Sequence, residues 1–419
     1  MLRFLREVAL ALTIIGAGLG MYLNFYLGNM GWNNLLMLFA LVFIPNWANL
    51  TQGRLYPCPF HIKVILFFQI YVFYAMLIGG ASSTDYIYLF FTLIFIFGIL
   101  TLRPGSLNWK KVIDYTWIFG WFCLLLCTMT IVTGAFFIEF AKTHDGTGYE
   151  SILVDLTMAG NLINFIITCL YIIRVSQGLK VKFSIIGIIM AMTLIFILGK
   201  RTPLITACIL IILFQIRFYP PSRYIKKKTV FMLIGVFMLG VILSQLPIVR
   251  DTVLGVFERT ISGILDMLLG SSISGQAAVT RYSLRSWAIE YIVNEFGVLN
   301  YVFGVGYMTR WLDAPLLQSY LDLGLIGFGF YLYIVILKPL KIIFSPLEKV
   351  SLVFWTSGLC VYNILSSMNS GIPYTHVRWI PLVLLFISIR DIRLDYSKTT
   401  ISLSEDRNNY RYRKIGSMN

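Results

Sequence analysis

A few charged residues, set in polar interruptions of a mostly apolar chain, hold most of the chemistry this sequence can offer. Lys200 and Arg201 sit in Gly199-Lys-Arg-Thr-Pro203, and Arg281 and Arg285 lie one helical turn apart in Arg281-Tyr-Ser-Leu-Arg285-Ser-Trp287. Thr202 can cap a helix and Pro203 suits its first turn, so a helix is expected to begin there. Free N–H groups at the positive end of that helix, beside two cations, form an anion site. A guanidinium fork matches phosphate oxygens in two-point contact. The competing readings are headgroup contacts for Lys200 and Arg201, and a solvated face or pairing with Glu290 or Glu295 for Arg281 and Arg285. Asp313, two residues before Pro315, is either a general base toward a hydroxyl or a helix cap. Asp322 follows on the same segment, and Arg310, His376 and Arg378 complete the candidates.

The elements that must position these groups are membrane helices. Of 419 residues, 58% are hydrophobic, 16% aromatic and only 13% charged, and the mean hydropathy is +0.80. Soluble domains carry roughly 25% charged residues, so a water-soluble enzyme is excluded, as is a disordered or fibrous chain. Twelve spans are expected, near 8–28, 33–50, 62–81, 86–102, 113–138, 152–173, 183–199, 203–219, 229–246, 316–337, 350–368 and 377–390. They form a single all-α domain over 1–390, followed by a basic tail at 391–419.

Charge orients the bundle. The net charge of +15, from 34 Lys and Arg against 19 Asp and Glu, is expected to reflect positive-inside loops and not nucleic-acid binding. With the N-terminus in the cytoplasm, most cations fall inside: Arg3 and Arg6, Arg54 and Lys63, Arg103 to Lys111, Arg174 to Lys182, Arg217 to Lys228, Lys338 to Lys349, and the tail. Both termini are then cytoplasmic, and the first apolar run reads as a span with no cleavage site. No outer connection contains a cysteine and the three histidines are scattered, so neither a disulfide framework nor a metal site nor any cofactor is expected.

One outer connection is exceptional. The segment 247–315 runs about 70 residues between spans nine and ten, and long connections usually carry function. Its residues Arg250–Leu269 have the apolar spacing of an amphipathic helix, a Gly/Ser-rich break follows at Gly270–Gly275, and a second helix is expected near Ala277–Phe296. Arg250, Arg259, Arg281, Arg285 and Arg310 lie in this loop, against the orientation rule, which implies a use for them. Its aromatics, Tyr282, Trp287, Tyr291, Tyr301, Tyr307, Trp311 and Tyr320, can stack on sugar faces or belong to the interfacial belt. An outer anion site beneath such a loop points to a lipid-linked phosphate carrying a sugar.

On Gly199-Lys-Arg-Thr-Pro203, Arg281-x-x-x-Arg-x-Trp287 running on to Phe303-Gly-Val-Gly306, and Asp313-Ala-Pro-Leu-Leu-Gln-Ser-Tyr-Leu-Asp322, the chain resembles the Wzy-type O-antigen and capsule repeat-unit polymerases, which are similar to O-antigen ligases. The likeness covers most of the chain. It implies a GT-C-like, metal-independent glycosyltransferase acting on undecaprenyl-pyrophosphate-linked oligosaccharide at the outer face of the inner membrane, with a chain-length regulator as a possible partner. It also implies that Arg201 and Arg281, with Lys200 and Arg285 in support, hold the pyrophosphate, and that Trp287, Tyr307, Arg310, Asp322, His376 and Arg378 line the substrate site. Where the ligases carry a His, this chain has Asp313, which favours polymerase over ligase. The rival from another class is a lipid-linked oligosaccharide flippase or transporter. Against it, the connection between spans six and seven is short, Arg174–Lys182, and no repeat relates the two halves.

Overall fold

The computed structural model describes residues 2–27, 31–132, 140–142, 149–151, 156–175, 179–197, 201–218, 276–312, 314–345, 351–369 and 371–392. The expected span at 229–246, the amphipathic helix over 250–269, the break at 270–275, and the tail from 393 onward lie outside them. The described chain is helical apart from one small hairpin. Helices α1 (Leu2–Leu27), α2 (Trp32–Phe43), α3 (Trp47–Thr51), α4 (Phe60–Gly79), α5 (Ser83–Leu100) and α6 (Trp109–Val132) come first. Strands β1 (Phe140–Lys142) and β2 (Tyr149–Ser151) then pair antiparallel, Phe140 opposite Ser151, within the expected outer connection between spans five and six. Helices α7 (Leu156–Val175), α8 (Leu179–Ile197), α9 (Arg201–Phe218), α10 (Gln276–Glu295) and α11 (Val298–Phe303) follow. Last come α12 (Pro315–Tyr331), a π-helical segment (Leu332–Leu337), α13 (Lys338–Ile343), α14 (Ser351–Asn369) and α15 (376–392).

Among the described residues, five helices are long and apolar enough to cross a membrane: Leu2–Asn24, Phe60–Gly79, Ser83–Leu100, Trp109–Thr130 and Pro315–Ile343. On α4 one stripe is buried (Ile62, Ile65, Phe68, Val72, Met76) while Phe67, Ile70, Phe73, Tyr74 and Leu77 are exposed. Water would penalise such an outer stripe, whereas lipid accepts it. Helix contacts in hydrocarbon gain little from the hydrophobic effect, so close packing and polar contacts hold the bundle. The packed centre contains Trp355, Trp379, Tyr331, Phe68, Phe95 and Phe165, all fully buried.

Two boundaries differ from expectation for reasons of backbone chemistry. The second expected span, 33–50, is interrupted: α2 stops at Phe43, and Pro45 separates it from α3. Proline lacks an N–H and biases the preceding residue away from helix, and the 12 residues of α2 reach only about 18 Å of the roughly 30 Å hydrocarbon core. The freed backbone is tied down, with Asn46 N–H donating to Thr101 Oγ1 at 2.7 Å. Conversely, the tenth span runs on past 337 because the π-helical turn ahead of Pro339 absorbs the proline: Lys338 N–H reaches Tyr333 O, five residues back.

Among the described residues the connections meet in two groups. At one end Tyr56 N–H donates to Leu100 O at 2.9 Å, and Trp109 Nε1 donates to Asp391 Oδ2 at 3.2 Å, joining connections expected inside. The other end gathers residues 79–85, 303–314 and 371–378, all expected outside, and the candidate site lies there.

Candidate functional site

A break in α12 organises this end. Gly324 has φ 62° and ψ −164°, which interrupts the helix and releases the carbonyls of Leu321 and Asp322 from their intrahelical partners. The loop after α11 takes them up: Val305 N–H donates to Leu321 O and Gly306 N–H to Asp322 O, both at 3.1 Å, and Tyr307 N–H donates to Ala75 O of α4 at 3.2 Å. Tyr71 Oη donates to both Phe303 O and Leu323 O. Non-helical backbone at membrane depth is tolerated only where it is satisfied in this way, inside protein or along a cavity. A Cβ on Gly304 (φ 80°) would overlap the Asp322 carbonyl, and the backbone of Gly324 is equally close to that of Gly304. The Phe303-Gly-Val-Gly306 run is therefore a strap wedged into a broken helix.

Asp322 fastens the next stretch of the strap. It is fully buried and accepts from Gln318 Nε2 at 2.8 and 2.9 Å and from Tyr374 Oη at 3.0 Å. Gln318 Oε1 in turn accepts from Leu312 N–H at 2.9 Å. An enclosed carboxylate held by these donors is a scaffold and does not face a substrate. Asp322→Asn would oppose an amide N–H₂ to donors and weaken charge-assisted bonds, at a cost of about 3 kcal/mol. The expected result is a large fall in the thermal midpoint of the detergent-solubilised protein. An unchanged midpoint with lost activity would make Asp322 a substrate contact instead.

Arg378 holds the neighbouring loop. Only 6% exposed, it donates through Nη1 to Asn363 O, Ser366 Oγ and Ser367 Oγ at 3.1, 3.2 and 2.7 Å, and through Nε to Ile372 O at 3.3 Å. Asn363 Nδ2 returns a bond to Arg378 O at 2.7 Å, and Tyr331 Oη meets Ser367 Oγ at 3.1 Å. These bonds fix residues 371–378, so that Tyr374 reaches Asp322 and its ring lies 4.9 Å from that of Tyr307. Asp85 accepts from Ser82 N–H at 3.0 Å and Ser82 Oγ at 2.6 Å in a capping box that starts α5. Burial first, then the nearby Asp85 carboxylate, raises the Tyr307 phenol above its ordinary value.

His376, just ahead of the span expected at 377–390, completes the cluster. Its ring is 5.1 Å from Tyr88 and 5.7 Å from Phe91, and its Nδ1 is buried with no hydrogen-bond partner. Burial pushes the imidazole down to about 4, so it is neutral near pH 7.

A second, aromatic group flanks the first. Helix α10 packs on the start of α12 through Ala288, Leu312, Ala314 and Leu321, with Trp287, Tyr291 and Phe296 against them. Trp287 and Tyr291 stack at 5.1 Å, and the Arg310 guanidinium lies 4.6 Å over the Trp287 ring, a cation–π contact. Arg285 is half-buried on the same helix.

The structure thus brings together Tyr307, Asp322, His376 and Arg378, and separately Trp287 with Arg310. Arg201 is the first residue of α9 and Arg281 lies early in α10; the description of both stops at the helical backbone. Lys200 and Asp313 lie outside the described residues. Sequence reasoning missed Asp85, Tyr88, Gln318 and Tyr374. Gln318 had a signal, since it is four residues before Asp322 and shares its helix face. Tyr374 and Asp85 are remote in sequence and had none.

The chain matches no protein-family model, no curated protein and no solved structure.

Proposed function

We propose that this chain is a polysaccharide polymerase of the inner membrane, with twelve spans, a GT-C-like arrangement and both termini in the cytoplasm. It transfers undecaprenyl-pyrophosphate-linked glycan onto a lipid-linked repeat unit at the outer face. The observation that carries the reading is the convergence of three connections, all expected outside and one of them the end of the 247–315 loop, into a polar cluster at the broken α12. A long loop packed into the bundle can roof a reaction, whereas a loose excursion cannot exclude water.

In the proposed reaction the acceptor hydroxyl oxygen forms a bond to C1 of the donor sugar. The bond from C1 to the pyrophosphate oxygen breaks, and the leaving group departs with its electron pair. Arg201 and Arg281, aided by Lys200 and Arg285, stabilise the charge that develops on it. Asp313 takes the hydroxyl proton. Asp313→Asn is accordingly expected to slow extension by about 10²–10⁴-fold and to accumulate single lipid-linked repeat units; wild-type chain lengths in that variant would reduce Asp313 to a helix cap.

The reading as a whole is tested by reconstituting the purified chain with a lipid-linked repeat unit in the presence of a chelator. A ladder of lengthened glycan is expected, and its absence would overturn the assignment. The break at Gly324 also favours a second reading, because discontinuous helices mark the binding sites of many transporters. A flippase would move the repeat unit across the vesicle without lengthening it, so the same vesicles separate the two.

A further inference from the structure

His376 is poorly explained as a packing residue. A neutral imidazole has one N–H to donate and one lone pair to accept with. Nδ1 of His376 is buried and makes no hydrogen bond, and the ring's neighbours include those of Tyr88 and Phe91. An apolar side chain would fill the same space without leaving a buried polar atom unsatisfied. Such an atom in a native protein calls for an explanation, and a functional role is one.

The surroundings say which ligand. Asp85 is three residues before Tyr88, so both lie on one face of α5. Asp85, Tyr88 and His376 are all half-buried. The Asp85 carboxylate accepts from Ser82 N–H and Ser82 Oγ, which leaves room for further donors among its roughly four lone-pair sites. The face thus offers a negative acceptor, a neutral imidazole that both donates and accepts, and an aromatic ring. Its negative charge disfavours a phosphate. Hydroxyl groups, which donate and accept at once, satisfy the imidazole and the carboxylate together, and the C–H face of a sugar ring covers an aromatic face.

We propose that Asp85, Tyr88 and His376 form a binding site for a neutral pyranose at the outer end of the bundle, the sugar that presents the acceptor hydroxyl. The choice of a sugar of the acceptor rests on the polymerase reading; the unsatisfied imidazole nitrogen does not. Nothing in the sequence reading singled out Asp85 or Tyr88.

The probe is the free repeat-unit oligosaccharide, released from its lipid, added to the full chain in nanodiscs. Saturation-transfer NMR is expected to show contact with the oligosaccharide, and the His376 ring resonances, from one of only three histidines, are expected to shift. His376→Phe keeps the ring packing and removes both nitrogens. It should abolish the saturation transfer, leave the thermal midpoint unchanged or raised, and raise the acceptor KM about tenfold or more with little change in kcat. His376→Gln, which restores a donor and an acceptor, should recover most of the binding. The wild-type measurement needs no variant, so the test holds even if His376→Phe fails to fold. An unmoved His376 resonance at saturating sugar, or full binding by a folded His376→Phe, would overturn the proposal. Sugar binding without a ladder in the reconstitution would retire the polymerase reading and keep the site; a ladder with no response at His376 would do the reverse.

Discussion

Arg201→Ala and Arg281→Ala are each expected to slow glycan extension by about 10²–10³-fold while the protein remains in the membrane at normal levels. The expectation follows from where charge develops. As the C1–O bond breaks, negative charge accumulates on a diphosphate at the membrane surface, and a fixed guanidinium stabilises it without the reorganisation that water would need. Lysine carries the same charge but lacks the planar fork, so Arg201→Lys should recover only part of the loss. Polymer length on a gel, normalised to protein in the membrane fraction, reads the result. Normal polymer from both alanine variants would remove the anion site from the mechanism.

The second large effect is one of fold. Gly304→Val is expected to destabilise the outer end by about 3 kcal/mol or more. A β-branched residue is strained at φ 80°, and any Cβ at this position overlaps the Asp322 carbonyl where strap and broken helix meet. Gly329→Ala on the same helix is the control: a Cβ there meets nothing within 4 Å, so alanine should be neutral or stabilise by up to about 1 kcal/mol. The thermal midpoints of the two variants in detergent should move apart. A strap that tolerates valine would not be seated between α12 and α4 as described.

The positions of most helices were legible along the chain. Apolar runs and the cations between them report transfer free energies residue by residue, and those depend little on partners. The ends of α4, α5 and α9 therefore fall within a few residues of expectation, while α1 begins six residues earlier than expected. The break in the second span was legible too, in Pro45, and was outweighed by the apolar residues on either side. The hairpin β1–β2 lacked a signal, since strands of three residues are too short to show alternation.

The site divides along the same line. Residue type alone marked Asp322, His376, Arg378 and Tyr307 as polar groups in costly places. Their tasks were not readable from type. Asp322 and Arg378, both able in principle to meet a substrate, are enclosed and hold loops, while His376 keeps an unsatisfied Nδ1.

What the amino-acid order determined by itself is the predominantly helical, apolar character of the chain, because it follows from local composition. Only the tertiary structure decided that Gly324 opens α12 to Val305 and Gly306, and that Tyr374 meets Asp322 across 52 residues of sequence. Those pairings arise from the packing of helices distant in the chain, and in an apolar medium each buried polar group must find a partner wherever the fold brings one.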